Sequence, residues 1–182
     1  SQNDNLVRIN IMSNAETQTP LQSVQAAVPK PVRDVPSMLL PVQDKMLLLP
    51  GVAVAEIINY SYPECPAGAP DWFLGYIEWR KLSVPLLSFE LLNGQAMPHS
   101  TGVPRIAVIN NTGVNDAVPF IAIVMQAIPR LMRIMPQDIT EVGNVELAPA
   151  ELAAVNIVGG ETVLIPDVSV LEKAYSDYLQ TC

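Results

Sequence analysis

The chain is poor in the side chains that do chemistry. Among its 182 residues it has one histidine, His99, and two cysteines, Cys65 and Cys182. Two cysteines so far apart offer neither a metal-ligand spacing nor a disulfide framework, so a reduced, cytosolic setting is the default. His99 stands in a Pro98-His99-Ser100 loop with no cysteine or carboxylate at ligand spacing, which reads as a solvent-exposed histidine. Cys65 lies in a proline-flanked loop without a paired histidine, so it lacks the base that activates a nucleophile. Gly159-Gly160-Glu161 is followed by no lysine and no helix, and reads as a hairpin turn rather than a phosphate cradle. No active site assembles, and no cofactor or metal is expected.

Charge is scarce as well. Only 15% of residues are charged, and the formal net charge is −8. A nucleic-acid binder needs a basic face to neutralise phosphates, and docking on anionic lipid needs the same. Neither is expected here. No uninterrupted apolar run reaches the roughly 18 residues of a membrane-spanning helix. The first residues lack a basic start followed by an apolar core, so no secretory signal is expected. Glu141, Glu146 and Glu151 recur at a spacing that fits neither a helix face nor a metal cage, and read as a solvated surface.

What the chain does hold is apolar sequence cut by proline. Apolar residues make up 49% of it, enough to bury a core, and 17 prolines scattered among β-branched runs argue for short strands. Residues 1–36 are polar and proline-bearing, and read as a disordered or draped lead-in, with Met12 a candidate natural start. Strands are expected at 38–42, 45–49, 56–60, 75–79 and 82–88, with Gln43-Asp44 turning the first pair. The Gly- and Pro-bearing stretch 93–104 is the best internal boundary. A second group of strands follows at 106–110, 119–124, 128–134, 155–158 and 162–165, with a hairpin loop at 110–116. The fold class is therefore mainly β: two small five-stranded barrels of SH3-like kind, side by side. Subdomain one spans about 37–95 and subdomain two about 103–166, since closure protects strand edges. A C-terminal helix over about 167–180 carries Asp167 as N-cap and an apolar stripe through Val168, Leu171, Ala174, Tyr175, Tyr178 and Leu179. A shorter helix is expected within 149–154.

The densest signal runs from Val54 to Phe89. From Gly75 to Arg80 the residues alternate, placing Tyr76, Glu78 and Arg80 on one face of a strand and Ile77 and Trp79 on the other. The next run, Leu82 to Phe89, is almost wholly apolar, and Pro85 has no amide for a ladder, which points to an edge strand or a bulge. Pro63, Pro66 and Pro70 break the preceding loop, and Asp71 to Leu74 is long enough for about one helical turn.

These residues resemble the CheW-like coupling proteins of bacterial chemosensory arrays. The family's pattern is a V-x-E-I strand, a P-x-x-x-x-G turn into the next strand, an N-L-R-G corner and a buried proline. Here they correspond to Val54-x-Glu56-Ile57, Pro70 to Gly75, Trp79-Arg80 and Pro85. In the second half, 105–110, 118–124, 127–134 and the 155–165 hairpin resemble its later strands, so that the likeness covers about 37–180. The chain departs where the family has Asn-Leu-Arg-Gly and this sequence has Glu78-Trp79-Arg80-Lys81. It departs again where Ser88-Phe89-Glu90 replaces Asp-Leu-Arg. Lys81 puts a side chain where a glycine left the corner open, and the reversed charge at Glu90 suggests a different partner. The sequence thus reads as a divergent member, of the auxiliary kind found in type IV pilus chemosensory systems that drive twitching motility.

The resemblance implies a non-catalytic, cytoplasmic scaffold recruited to receptor arrays. Its implied partners are the regulatory domain of a CheA-like sensor histidine kinase and the cytoplasmic tip of a methyl-accepting chemoreceptor, with self- or ring-type association besides. It also implies that Glu56 and Arg80 form part of the protein-binding face, where the residues alone allow a simple surface ion pair. Ile106 and Val108 face a choice between core and binding groove, and core is expected for one of them. A peptide- or small-ligand-binding adaptor outside chemosensing is the alternative reading, with an enzyme third.

Overall fold

The computed structural model describes residues 33–99 and 102–182; the lead-in up to residue 32, with Met12, lies outside the described residues. The chain is mainly β. In order come β1 (Val35–Val42), β2 (Lys45–Pro50), β3 (Val54–Asn59), β4 (Phe73–Trp79), β5 (Leu82–Leu87) and the one-turn α1 (Phe89–Leu92). The second half adds β6 (Arg105–Asn110), β7 (Phe120–Met125), β8 (Arg130–Ile134), β9 (Thr140–Glu141), β10 (Glu151–Asn156), β11 (Thr162–Pro166) and α2 (Val168–Thr181). Both expected strand groups are present. The lead-in ends earlier than expected, because Val35 and Pro36 already pair with Ile134 and Arg133 of β8.

The strands sort differently from their order in sequence. One sheet runs β3-β6-β7-β5-β4 and the other β8-β1-β2-β11-β10-β9. The expected split into 37–95 and 103–166 is therefore corrected: β1 and β2 belong with the late strands, and β6 and β7 with the early ones. Val32–Cys182 forms one unit. The second sheet has six strands, because the two-residue β9 pairs with β10. The stretch 149–154, expected as a short helix, is a turn at 149–150 followed by the first four residues of β10. Asp71-Trp72 is likewise a turn, and Phe73 already begins β4.

This exchange of strands produces three apolar clusters. Ile77, Trp79, Val84, Leu86, Ile106, Val108, Ala122 and Val124 pack on one face of the first sheet. Leu39, Leu48, Ile134, Val155, Ile157 and Val163 pack on one face of the second. Between the sheets, Leu40, Leu47, Phe73, Leu87, Ala107, Ile109, Ile121 and Ile123 form a shared core that also takes Leu171 and Tyr175 of α2. Strands buried on both faces need continuous apolar runs, which is why β6 reads Ile-Ala-Val-Ile and β7 Ile-Ala-Ile-Val-Met rather than alternating.

Pro85 is not on an edge, since β5 lies between β7 and β4. It faces Tyr76, whose amide and carbonyl bond outward to Glu64, each at 2.9 Å. Nothing on β4 therefore calls for a proline amide, and the parallel pairing with β7 begins only at Leu86. The irregularity lies in β4, between Phe73 and Gly75. Gly75 has φ +128°, and a Cβ there would sit 2.5 Å from the Glu64 carbonyl oxygen and 2.8 Å from the Cys65 Cα. Only glycine lets the 64–65 segment close onto this strand.

Three buried carboxylates tie loops to the sheets. Glu90 is 1% exposed; it accepts the Gln43 amide at 2.9 Å, with Ser88 Oγ at 3.2 Å and Gln126 Nε2 at 3.4 Å. It is an internal anchor for the β1–β2 turn, not a charge turned toward a partner. Glu151 is buried, unlike the exposed Glu141 and Glu146, and binds Lys45 Nζ at 2.6 Å and the Ala148 amide at 2.9 Å. The expectation of a solvated glutamate there is corrected. Glu172 of α2 accepts the Thr112 amide at 2.6 Å and the Thr112 hydroxyl, fixing the β6–β7 loop to the helix.

α2 starts where expected, with the Asp167 carboxylate accepting the Ser169 amide at 3.1 Å. Its Tyr175 hydroxyl meets that of Tyr76 at 2.7 Å, and Phe73 packs edge-on against both rings. Burial first, then the bond to Tyr76, raises the Tyr175 pKa above its ordinary value. The unfolded chain therefore loses this proton first. The stabilisation is complete below pH ~10 and is lost as pH climbs through the folded value.

Two outcomes follow for stability. Gly75→Ala should cost about 2 kcal/mol or more in denaturant unfolding, because a backbone clash cannot be relieved by rotating a side chain. Between about pH 9 and 11 the melting temperature should fall, and it should fall less steeply in Tyr175→Phe.

Candidate protein-binding face

β3 and β4 are the two ends of the first sheet, yet their side chains meet. Trp79 Nε1 donates to Glu56 Oε2 at 2.6 Å. The sheet thus curls until its edges are joined by a hydrogen bond. Glu56 lies at a bulge, opposite Val108 of β6. The signal in the sequence was a glutamate inside an apolar run, which needs a partner if it is to be drawn in. Trp79 supplies it, and a buried indole N–H needs an acceptor in return.

Arg80 completes the cluster, but from a turn rather than a strand face. Trp79 and Leu82 pair, leaving Arg80 and Lys81 as a two-residue hairpin loop with φ +49° and +63°. Two positive φ values are what a type I′ turn requires, and they are unusual in residues other than glycine, asparagine or aspartate. The alternation that placed Arg80 beside Tyr76 and Glu78 therefore stops at Trp79. The turn swings the guanidinium to the other side, 4.7 Å from the Trp79 ring centroid and 3.3 Å from Glu56 Oε2. Phe120 packs edge-on against the same indole, its ring centroid 4.8 Å away.

The Arg80 side chain stays 67% exposed and that of Glu56 41%, so the pair lies at the surface with the apolar cluster beneath it. Glu56 has one oxygen engaged by both Trp79 and Arg80. The guanidinium, spread over an indole and held by a carboxylate, is pre-oriented while most of its donors still face solvent. That suits a partner's carboxylate or carbonyl groups.

Ile106 and Val108 belong below this surface. Both are 0% exposed, and both lie in the cluster that contains Trp79. Residues two apart on a strand share a face, so the two cannot divide between core and groove, and neither lines a groove. Their neighbours Ala107 and Ile109 point to the shared core. His99 is exposed, as expected, and Cys65 is exposed as well. Among the described residues no group of three or more histidines, cysteines or carboxylates could hold a metal ion.

Comparison with known proteins adds three findings. A family model described as the CheW-like domain matches residues 36–174. No curated protein matches the chain. Among solved structures, the crystal structure of the scaffolding protein TtCheW from Thermoanaerobacter tengcongensis matches with a TM-score of 0.62 at 13% identity, over 73% of this chain and 88% of that one.

A double-mutant cycle between Glu56 and Arg80 should return less than about 1 kcal/mol of coupling in denaturant unfolding, as expected for an exposed pair. The cycle between Glu56 and Trp79 should return more, because the indole N–H is buried and loses its acceptor.

Proposed function

This chain belongs to the CheW-like domain family, and on that premise we propose that it is a non-catalytic adaptor that couples a chemoreceptor to a sensor histidine kinase. The observation that carries the reading is the Glu56–Trp79–Arg80 cluster. It occupies the positions that the family motif singles out, and it holds an exposed guanidinium over a closed apolar core. The regulatory domain of the kinase and the cytoplasmic tip of the receptor are the proposed partners. The site of action is the cytoplasmic side of a receptor array. Among the described residues no helix is long and apolar enough to cross a membrane.

Mechanism in such an adaptor is geometric. Affinity comes from apolar surface buried at each contact, while Arg80 sets register and selects the partner. Signal passes if binding favours one arrangement of the kinase over another. The departures at Lys81 and Glu90 separate this chain from the family pattern in different ways. Glu90 acts inside the fold. Lys81 stands exposed beside Arg80, and it supports assignment to an auxiliary adaptor, of the kind associated with type IV pili and twitching motility.

Arg80→Ala removes no buried contact except the face of Trp79. Its melting temperature should stay within about 3 °C of the parent. Calorimetric titration against kinase-domain and receptor-tip fragments should show roughly tenfold or greater weakening for at least one of them. Unchanged affinity for both would make Arg80 an ordinary surface charge. No binding of either fragment by the parent chain would remove the coupling role itself.

A further inference from the structure

β4 ends its sheet, and the outer side of its backbone is only partly closed. Tyr76 exchanges both its backbone hydrogen bonds with Glu64 on that side. Backbone groups alternate along a strand, so those of Glu78, two residues on, point the same way. Glu78 stands opposite Ser83, two pairs from Tyr76–Pro85, in a position where neither residue bonds to the other. Its N–H and C=O therefore face outward. Among the described residues, the Glu64 bridge is the only pairing on that edge.

The bridge is the first rung of a further strand that the chain does not extend. Continued in register, the antiparallel pairing would set Tyr62 opposite Glu78, yet no hydrogen bond joins them. Between the two lies instead an open groove of about 490 Å³, lined by Tyr62 and Glu64 on one wall and Tyr76, Glu78, Lys81 and Ser83 on the other. Tyr62 is 91% exposed and makes an edge-on contact with Tyr60, ring centroids 5.5 Å apart. The groove thus combines a row of strand positions, an unpaired amide and carbonyl, and an aromatic wall.

Charge selects the occupant. Paired residues share a face of a sheet, so Glu64 lies on the same side as Tyr76 and Glu78. Two exposed carboxylates then flank the place where the side chain opposite Glu78 would lie, with Lys81 at the far end. A second copy of this chain would bring its own Glu78 and Glu64 to that edge and a net charge of −8 with them, which disfavours self-pairing. We propose that the outer edge of β4 receives an extended segment of a partner protein, added as a strand, with a lysine or arginine opposite Glu78. This surface is separate from the Arg80 cluster and does not rest on the coupling role.

The test uses the full chain, labelled with nitrogen-15, and a synthetic probe, acetyl-Thr-Val-Lys-Val-Thr-Val-amide. The expected result is a shift of the Glu78 amide signal and slower hydrogen exchange at that amide on titration. The peptide with glutamate in place of lysine should bind roughly tenfold more weakly, and Glu78→Lys should invert that preference. An unmoved Glu78 amide at millimolar peptide overturns the proposal. So does equal binding by a peptide N-methylated at alternate amides, which cannot form a ladder. Slow exchange at Glu78 in the free protein would mean that the 61–63 segment closes the edge, and protection that grows with protein concentration would mean a second copy does. Either result overturns it as well.

Discussion

The bond between Glu56 and Trp79 joins the two ends of a five-stranded sheet, and much else depends on it. A sheet with free ends exposes backbone groups along both, and natural proteins close or cover such edges. Here a carboxylate from the first strand accepts the indole N–H of the last at 2.6 Å. The curl that results turns Ile106, Val108, Val84 and Leu86 inward and seals them under Trp79. It also brings Arg80 within reach of Glu56, so the fold's closure and the candidate binding face share one set of atoms.

The second constraint is the shared core. Because β1 and β2 pair with late strands while β3 to β5 pair with β6 and β7, neither sheet can be completed from one half of the sequence. Every strand that lies between the two clusters must be apolar on both faces. Glu90, Glu151 and Glu172 then fix the loops around that core, each accepting a backbone amide from a loop or turn. A buried carboxylate is costly unless its oxygens are bonded, so these three sites specify one arrangement of loops.

Two of the chain's exposed basic groups, Arg80 and Lys81, stand side by side at the β4–β5 turn. The type I′ turn matters here, because Arg80 and Lys81 occupy a conformation that costs a non-glycine residue roughly 1–2 kcal/mol. Such strain persists where the surrounding structure fixes it, and here Glu56 and the Trp79 ring hold one of the two side chains.

By itself the sequence determined the strand content, the positions of most strands and the capped final helix. These are local properties: alternation, proline and glycine punctuation, and a cap residue before an apolar stripe all act over a few positions. Tertiary structure decided the rest. Which strands share a sheet depends on contacts between residues more than a hundred apart, such as Leu47 with Leu164, and no local pattern carries that. Pro85 looked like an edge residue because a missing amide is a local fact, whereas the side of the strand it faces is set by pairing. Glu90 looked turned toward a partner and Glu151 solvated because their charge is written in the sequence, while Gln43 and Lys45, which bind them, lie 47 and 106 residues away. Arg80 left its expected face because two positive φ values turned the hairpin one residue early, a conformation that neither Arg nor Lys announces.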